Sequence, residues 1–198
     1  MASGVDFTQV LAGIAGEGGL PDLAWFAPEG SAAPTDASTA LDVAFLSPGV
    51  CSSDGFTLTP STSSSDVPGF GVLSPVRTIT TSEKTTGKIV MLQSNPVSLA
   101  VYHRMPVSGT GAPTVTTTTG EIATTDGVAR TQRYSFVQTA QDGLNLIRTY
   151  CPSVEVTARD AFQIGASKEV SYGVELTCYP DATGLSVYQW TVVNALKA

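Results

Sequence analysis

The sequence predicts a mostly β protein, a β-barrel or sandwich carrying one short α-helix together with an extended N-terminal arm and a long polar loop. Three observations carry that prediction: a two-residue alternation near the C-terminus, several β-branched runs set off by turn residues, and one well-capped helical segment. The alternation is the clearest of them. Val170, Tyr172, Val174, Leu176 and Cys178 fall on one face of a strand, and Ser171, Gly173, Glu175 and Thr177 on the other. The apolar set, Cys178 included, is expected in the core.

From the N-terminus, Phe7, Val10, Leu11 and Ile14 recur at the spacing of a short amphipathic helix, which Gly16, Gly18 and Gly19 would end. Residues 20–50 hold Pro21, Pro28, Pro34 and Pro48 among Ala, Ser and Gly, so residues 1–50 read as a helix and arm ahead of a β domain over 51–198. Trp25 and Phe26 in that arm need a surface to cover them, either their own domain or a neighbouring subunit. Asp54 and Gly55 form a turn pair before a strand at 56–59. Residues 60–75, with Ser63, Ser64, Ser65, Asp66 and Phe70, read as a long Ser/Pro/Gly loop whose composition gives reach without a hydrophobic face.

Two β-rich runs follow at 76–82 and 88–93, and Thr85, Thr86 and Gly87 between them suggest one long hairpin. Asn95 is a good N-cap and Pro96 a good first helical residue; Val97 and Val101 lie four apart and Pro106 beyond, which predicts a two-turn helix. Further strands are expected at 114–119 and 121–125, then from Arg130 to Thr139 after a hairpin turn at Asp126 and Gly127. Another run at 144–150 and a last strand at 185–193, with Tyr188, Trp190 and Val192 on one face, complete the pattern.

A chain of 198 residues buries roughly 70% of the surface its unfolded form exposes, so no disulfide or metal is needed to hold it. Only 14% of its residues are charged, against about 25% in average proteins, while Ser and Thr make up roughly a quarter. A hydroxyl-covered surface enters protein contacts without stripping many ions of water, which favours assembly over free solubility. The net charge of −7 and singly scattered basic residues argue against gripping nucleic acid. Three cysteines, Cys51, Cys151 and Cys178, lack paired spacing and are expected as reduced thiols. With no signal-peptide pattern and no apolar run near the roughly 20 residues that span a bilayer, synthesis in the cytoplasm without membrane insertion is expected.

The search for chemistry returns little. His103 is the only histidine, which excludes a two-histidine metal site, and its place after the helix reads as a polar residue favoured by the helix dipole. Gly69, Gly71 and Ser74, and again Gly109, Gly111 and Thr114, give incomplete glycine motifs interrupted by proline, and read as turns. Glu155 and Asp160 could flank a glycosidic bond only if folding placed them so, and solvated surface carboxylates are the simpler reading. No catalytic, cofactor-binding or metal residue is assigned, and the chain is expected to be a non-enzyme that needs no cofactor.

Four segments carry a resemblance: GVCSSDGFTLTP, SSSDVPGFG, VRTITTSEKTTGKIVML and NPVSLAVYH, all within residues 49–104. This stretch resembles the major tail tube proteins of long-tailed, siphovirus-like bacteriophages, and VSYGVELTCYPDATGLSVYQW is similar to that family's closing hairpin. The chain departs from the family pattern at Phe70, where Trp is usual, and at His103 and Arg104, where a glycine usually follows the helix. The resemblance implies a virion tail subunit made in the host cytoplasm. Hexameric rings of it would stack around a DNA-conducting channel, with a tape-measure protein inside during assembly and tail-terminator and tail-tip proteins at the ends. On this reading residues 60–75 contact the next ring. The polar face with Ser171, Glu175 and Thr177 lines the lumen or meets outer solvent, and the lumen is expected to be hydroxyl-rich and net negative so that DNA passes without being held. A capsid decoration or head–tail joining protein, or a sugar-binding adhesin-like β-sandwich, would share the β content.

Overall fold

The computed structural model describes residues 24–71, 73–127, 131–164 and 169–196; the helix expected around Phe7–Ile14 lies outside them. Among the described residues the alternating and β-branched runs form strands β1 (Ala24–Pro28), β2 (Cys51–Pro68), β3 (Pro75–Met91), β4 (Thr114–Thr116), β5 (Glu121–Ala123), β6 (Arg133–Asp142), β7 (Asn145–Arg159), β8 (Tyr172–Tyr179) and β9 (Tyr188–Val192), with one α-helix, α1 (Pro96–Tyr102), and a short 3-10 helix at Asn194–Leu196. The main sheet is antiparallel in the order β1-β6-β7-β8-β3-β2, and β9 pairs with β7. The sheet is sandwich-like rather than a closed barrel, because β1 and β2 remain as its two edges.

β7 organises the sheet by changing partners along its length. Its lower half pairs with β8 from Ser153↔Tyr179 to Arg159↔Val174, and its upper half with β9 from Tyr150↔Tyr188 to Leu146↔Val192. Pro152 sits at the changeover. Having no N–H to give a ladder, it is tolerated where the register against β6 also slips, and the Ser135 hydroxyl donates to its carbonyl at 2.9 Å.

Three expectations change. Residues 76–82 and 88–93 are not two arms of a hairpin; they are one strand, β3, whose hairpin partner is β2. Gly87 makes no turn: it leaves room for the Phe56 ring, which a Cβ there would meet at 2.5 Å. Residues 60–75 are largely strand rather than loop, paired from Pro60↔Thr85 to Pro68↔Pro75, with the Thr78 hydroxyl donating to Asp66 at 2.7 Å. Pro60 is admitted because β2 is an edge strand. Asp126 and Gly127 do not turn one strand back onto the next: β5 pairs with β4, and β6 with β1 and β7.

Each face of the sheet has its own core. On one, Phe26, Ile89, Met91, Tyr134, Phe136, Val154, Val174 and Leu176 pack against Val97, Ala100 and Val101 of α1. Asn95 caps the helix as expected: its side chain accepts from the Ser98 N–H at 2.8 Å, and the Ser98 hydroxyl accepts from the Asn95 N–H at 3.0 Å. On the other face Ala27, Phe45, Val137 and Tyr150 gather Trp25, Tyr188 and Trp190. The proline-bearing segment after β1 covers this second core, held by Arg148, which donates to the carbonyls of Asp36 at 2.9 Å and Thr39 at 2.6 Å.

Candidate functional site

β3 runs from the body of the sheet into open solvent. Its last sheet partner besides β2 is Cys178, opposite Thr85; among the described residues nothing else pairs with 75–84. The ribbon formed by 59–68 and 75–84 is exposed on both faces. Ser63, Ser64, Ser65 and Asp66 lie in its β2 strand, and Phe70 at its tip, where both Phe70 and Leu73 are fully exposed. An exposed two-stranded ribbon is only marginally stable by itself, and its free edges are templates for pairing with another chain.

At the opposite end of the sheet, α1 and the strand ends shape a cleft of about 610 Å³. Strand register defines that end, since Met91 pairs with Tyr172 and Arg159 with Val174. Tyr102, Phe162 and Tyr172 form an aromatic cluster with ring centroids 5.5–6.4 Å apart. Phe162 is half exposed, and Leu99 and Ile122 add apolar surface. The ionic groups around it pair with one another. Arg159 donates to Asp126 at 2.7 Å, and Lys88 to Asp160 at 3.0 Å. The bond from Arg159 holds the Asp126 carboxyl below the usual carboxylate range, helped by His103, whose Nδ1 lies 3.6 Å away. This His103 pair belongs to the end of α1, where Arg104 adopts φ 55° and closes the helix through N–H bonds from Arg104 to Val101 and from Met105 to Ala100.

The polar face of β8 is a third surface. Ser171 and Glu175 are half-buried, but Thr177 is buried, its hydroxyl 3.1 Å from that of Thr157. Gly173 lets the Asp160 carboxylate lie over the strand, since a Cβ there would meet it at 2.1 Å. Across this face Lys88 stands opposite Glu175, and Glu155 opposite both Thr177 and Arg133. With Asp160 and Glu29 beside them, four carboxylates face two cations. The face is hydroxyl-bearing, mixed in charge and net negative.

The arm residues Trp25 and Phe26 fall in β1, on opposite faces of the sheet. Phe26 is completely buried by its own chain, between Tyr134 and Phe136, and Trp25 packs half-buried against the second core. Cys151 and Cys178 are buried thiols with sulfurs 3.4 Å apart; the neighbouring thiol and burial push Cys151 up. Glu155 and Asp160 are each engaged with a cation, Arg133 at 3.9 Å and Lys88 at 3.0 Å. Among the described residues no three potential metal ligands gather, and no helix is long and apolar enough to cross a membrane. Sequence reasoning missed Leu73 and the cleft. Its signals were Phe162 and two tyrosines whose common location only folding reveals.

A family model described as phage tail tube protein matches residues 10–197, nearly the whole chain. A search of curated proteins returned no match.

Proposed function

The chain belongs to the phage tail tube protein family and is a structural subunit of the virion tail, and from that premise we propose that its copies close into rings, six to a ring, stacked around a channel that conducts DNA. The observation that carries this reading is the β2–β3 ribbon, a pair of strands exposed on both faces. Such a ribbon gains stability when a second copy covers it, and edges joined between copies remove the aggregation hazard of open strands. The net-negative polar face around Glu175 is the candidate channel wall. Phosphates are repelled from it over roughly 8 Å at physiological salt, so passing DNA gains no binding energy that would be multiplied ring after ring. During assembly the lumen holds a tape-measure protein, and terminator and tip proteins close the ends.

Electron microscopy of concentrated protein, with and without preformed seeds, tests the reading. Rings or tubes about a central channel are expected, and a strictly monomeric species under both conditions would sink it. Reversal of the wall's charge tests the conduit: Glu175→Lys tubes should retain DNA at low salt, whereas wild-type tubes should not.

A further inference from the structure

We propose that the apolar tip of the ribbon, Phe70 and Leu73, inserts into the cleft at the opposite end of the next copy, between Leu99, Tyr102, Ile122, Phe162 and Tyr172. The inference rests on the tube reading and deepens it by naming both halves of the contact between rings.

Four observations meet here. Phe70 and Leu73 are fully exposed large apolar residues, in a stretch, 67–76, that carries no charge. The cleft offers about 610 Å³ beside a half-exposed Phe162. Its ionic groups are already paired within the chain, Arg159 with Asp126 and Lys88 with Asp160, so an uncharged apolar plug strands no charge when it excludes water. Lastly, tip and cleft lie at opposite ends of the strand direction: β3 descends from Pro75 to Met91, and Met91 pairs with Tyr172 at the cleft.

The geometry sets the form of the assembly. Ten residues of ribbon beyond Thr85, at about 3.4 Å each, reach about 34 Å from the supported sheet. Because the tip and the cleft are different patches, their contact is head-to-tail and repeats without closing, as successive layers of a tube require. A self-complementary patch would instead stop at a dimer. The apolar anchor entering a pocket, ringed by polar groups that exclude water, is the arrangement in which few residues carry most of a contact's energy.

The experiment mixes two chains with one introduced cysteine each, Leu73→Cys in one and Phe162→Cys in the other, both in a Cys51→Ser background that leaves only the buried Cys151 and Cys178 besides it, under tube-forming conditions with mild oxidant. A disulfide joining the two different chains is expected, with little product from either chain alone. In parallel, Phe70→Ser/Leu73→Ser should fold like the wild type by circular dichroism yet lower the assembled fraction at least tenfold in sedimentation. Ile122→Arg should do the same from the cleft side. If wild-type protein forms tubes but the cross-link is absent, or the tip variant assembles like wild type, the tip-to-cleft contact is overturned and the tube reading stands. If wild-type protein builds no rings or tubes, seeded or not, the tube reading fails and takes this contact with it.

Discussion

Residues 75–84 and 85–91 belong to one unbroken strand, β3, yet live in opposite environments. The lower part lies between β2 and β8 and sinks Ile89 and Met91 into the core; the upper part has β2 alone and is exposed throughout. Backbone pairing with β2 continues through both parts and its register slips in each, between Cys51 and Phe56 in the lower and at Ser63/Ser64 and Val67/Pro68 in the upper, so ladder hydrogen bonds alone do not separate them. The difference is the third strand and the apolar face it completes. A body stabilised by burial tolerates little change, whereas a ribbon held by its own ladder is free to be shaped by what it meets.

Hydrogen exchange gives the largest contrast. Ribbon amides should exchange about a thousandfold faster than those of 151–156, because they open locally while the body opens only with global unfolding. Equal protection in the isolated subunit would break the comparison; protection gained by the ribbon on assembly would sharpen it. Next in size, Phe136→Ala should cost about 3–5 kcal/mol in urea titration, since Phe136 is fully buried between Phe26 and Phe56.

Gly87 lies just below the point where support ends. Gly87→Val must displace the Phe56 ring and should cost about 1–3 kcal/mol by the same titration. Within the body, Arg104→Gly should stabilise by about 1 kcal/mol, because Arg104 holds the left-handed conformation that glycine adopts without strain. A melting temperature that falls instead would mean that its side-chain packing outweighs that strain.

The smallest effect is acid sensitivity in the body. Hydrogen bonds from Thr183 and Tyr188 hold the Asp181 carboxyl down at about 2. A carboxyl lowered on folding stabilises above its unfolded pKa of about 3.9 and loses that contribution as pH falls through the folded value. The melting temperature should therefore drop between about pH 4 and pH 2, and Asp181→Asn should flatten that drop. An unchanged profile in the variant would show that the turn at Asp181 contributes nothing to acid stability.

Local signals were legible from the residues alone. The alternation at Val170–Cys178 placed Tyr172, Val174, Leu176 and Cys178 in the core, and Asn95–Pro96 marked the start of the only α-helix among the described residues. Both depend on neighbours within a few residues, where side-chain period and capping chemistry act directly. What lay beyond reach depended on partners distant in the chain. Residues 60–68 became strand because 75–85 lay alongside, and Gly87 became a seat for Phe56 rather than a turn. Phe26 left the arm for the core because Tyr134 and Phe136, more than a hundred residues away, supplied its surface. The cleft needed Leu99, Ile122, Phe162 and Tyr172 brought together from four separate stretches. Period and capping are written locally, but pairing and burial are settled only when the whole sheet closes around its core, because only then does each apolar side chain lose its water.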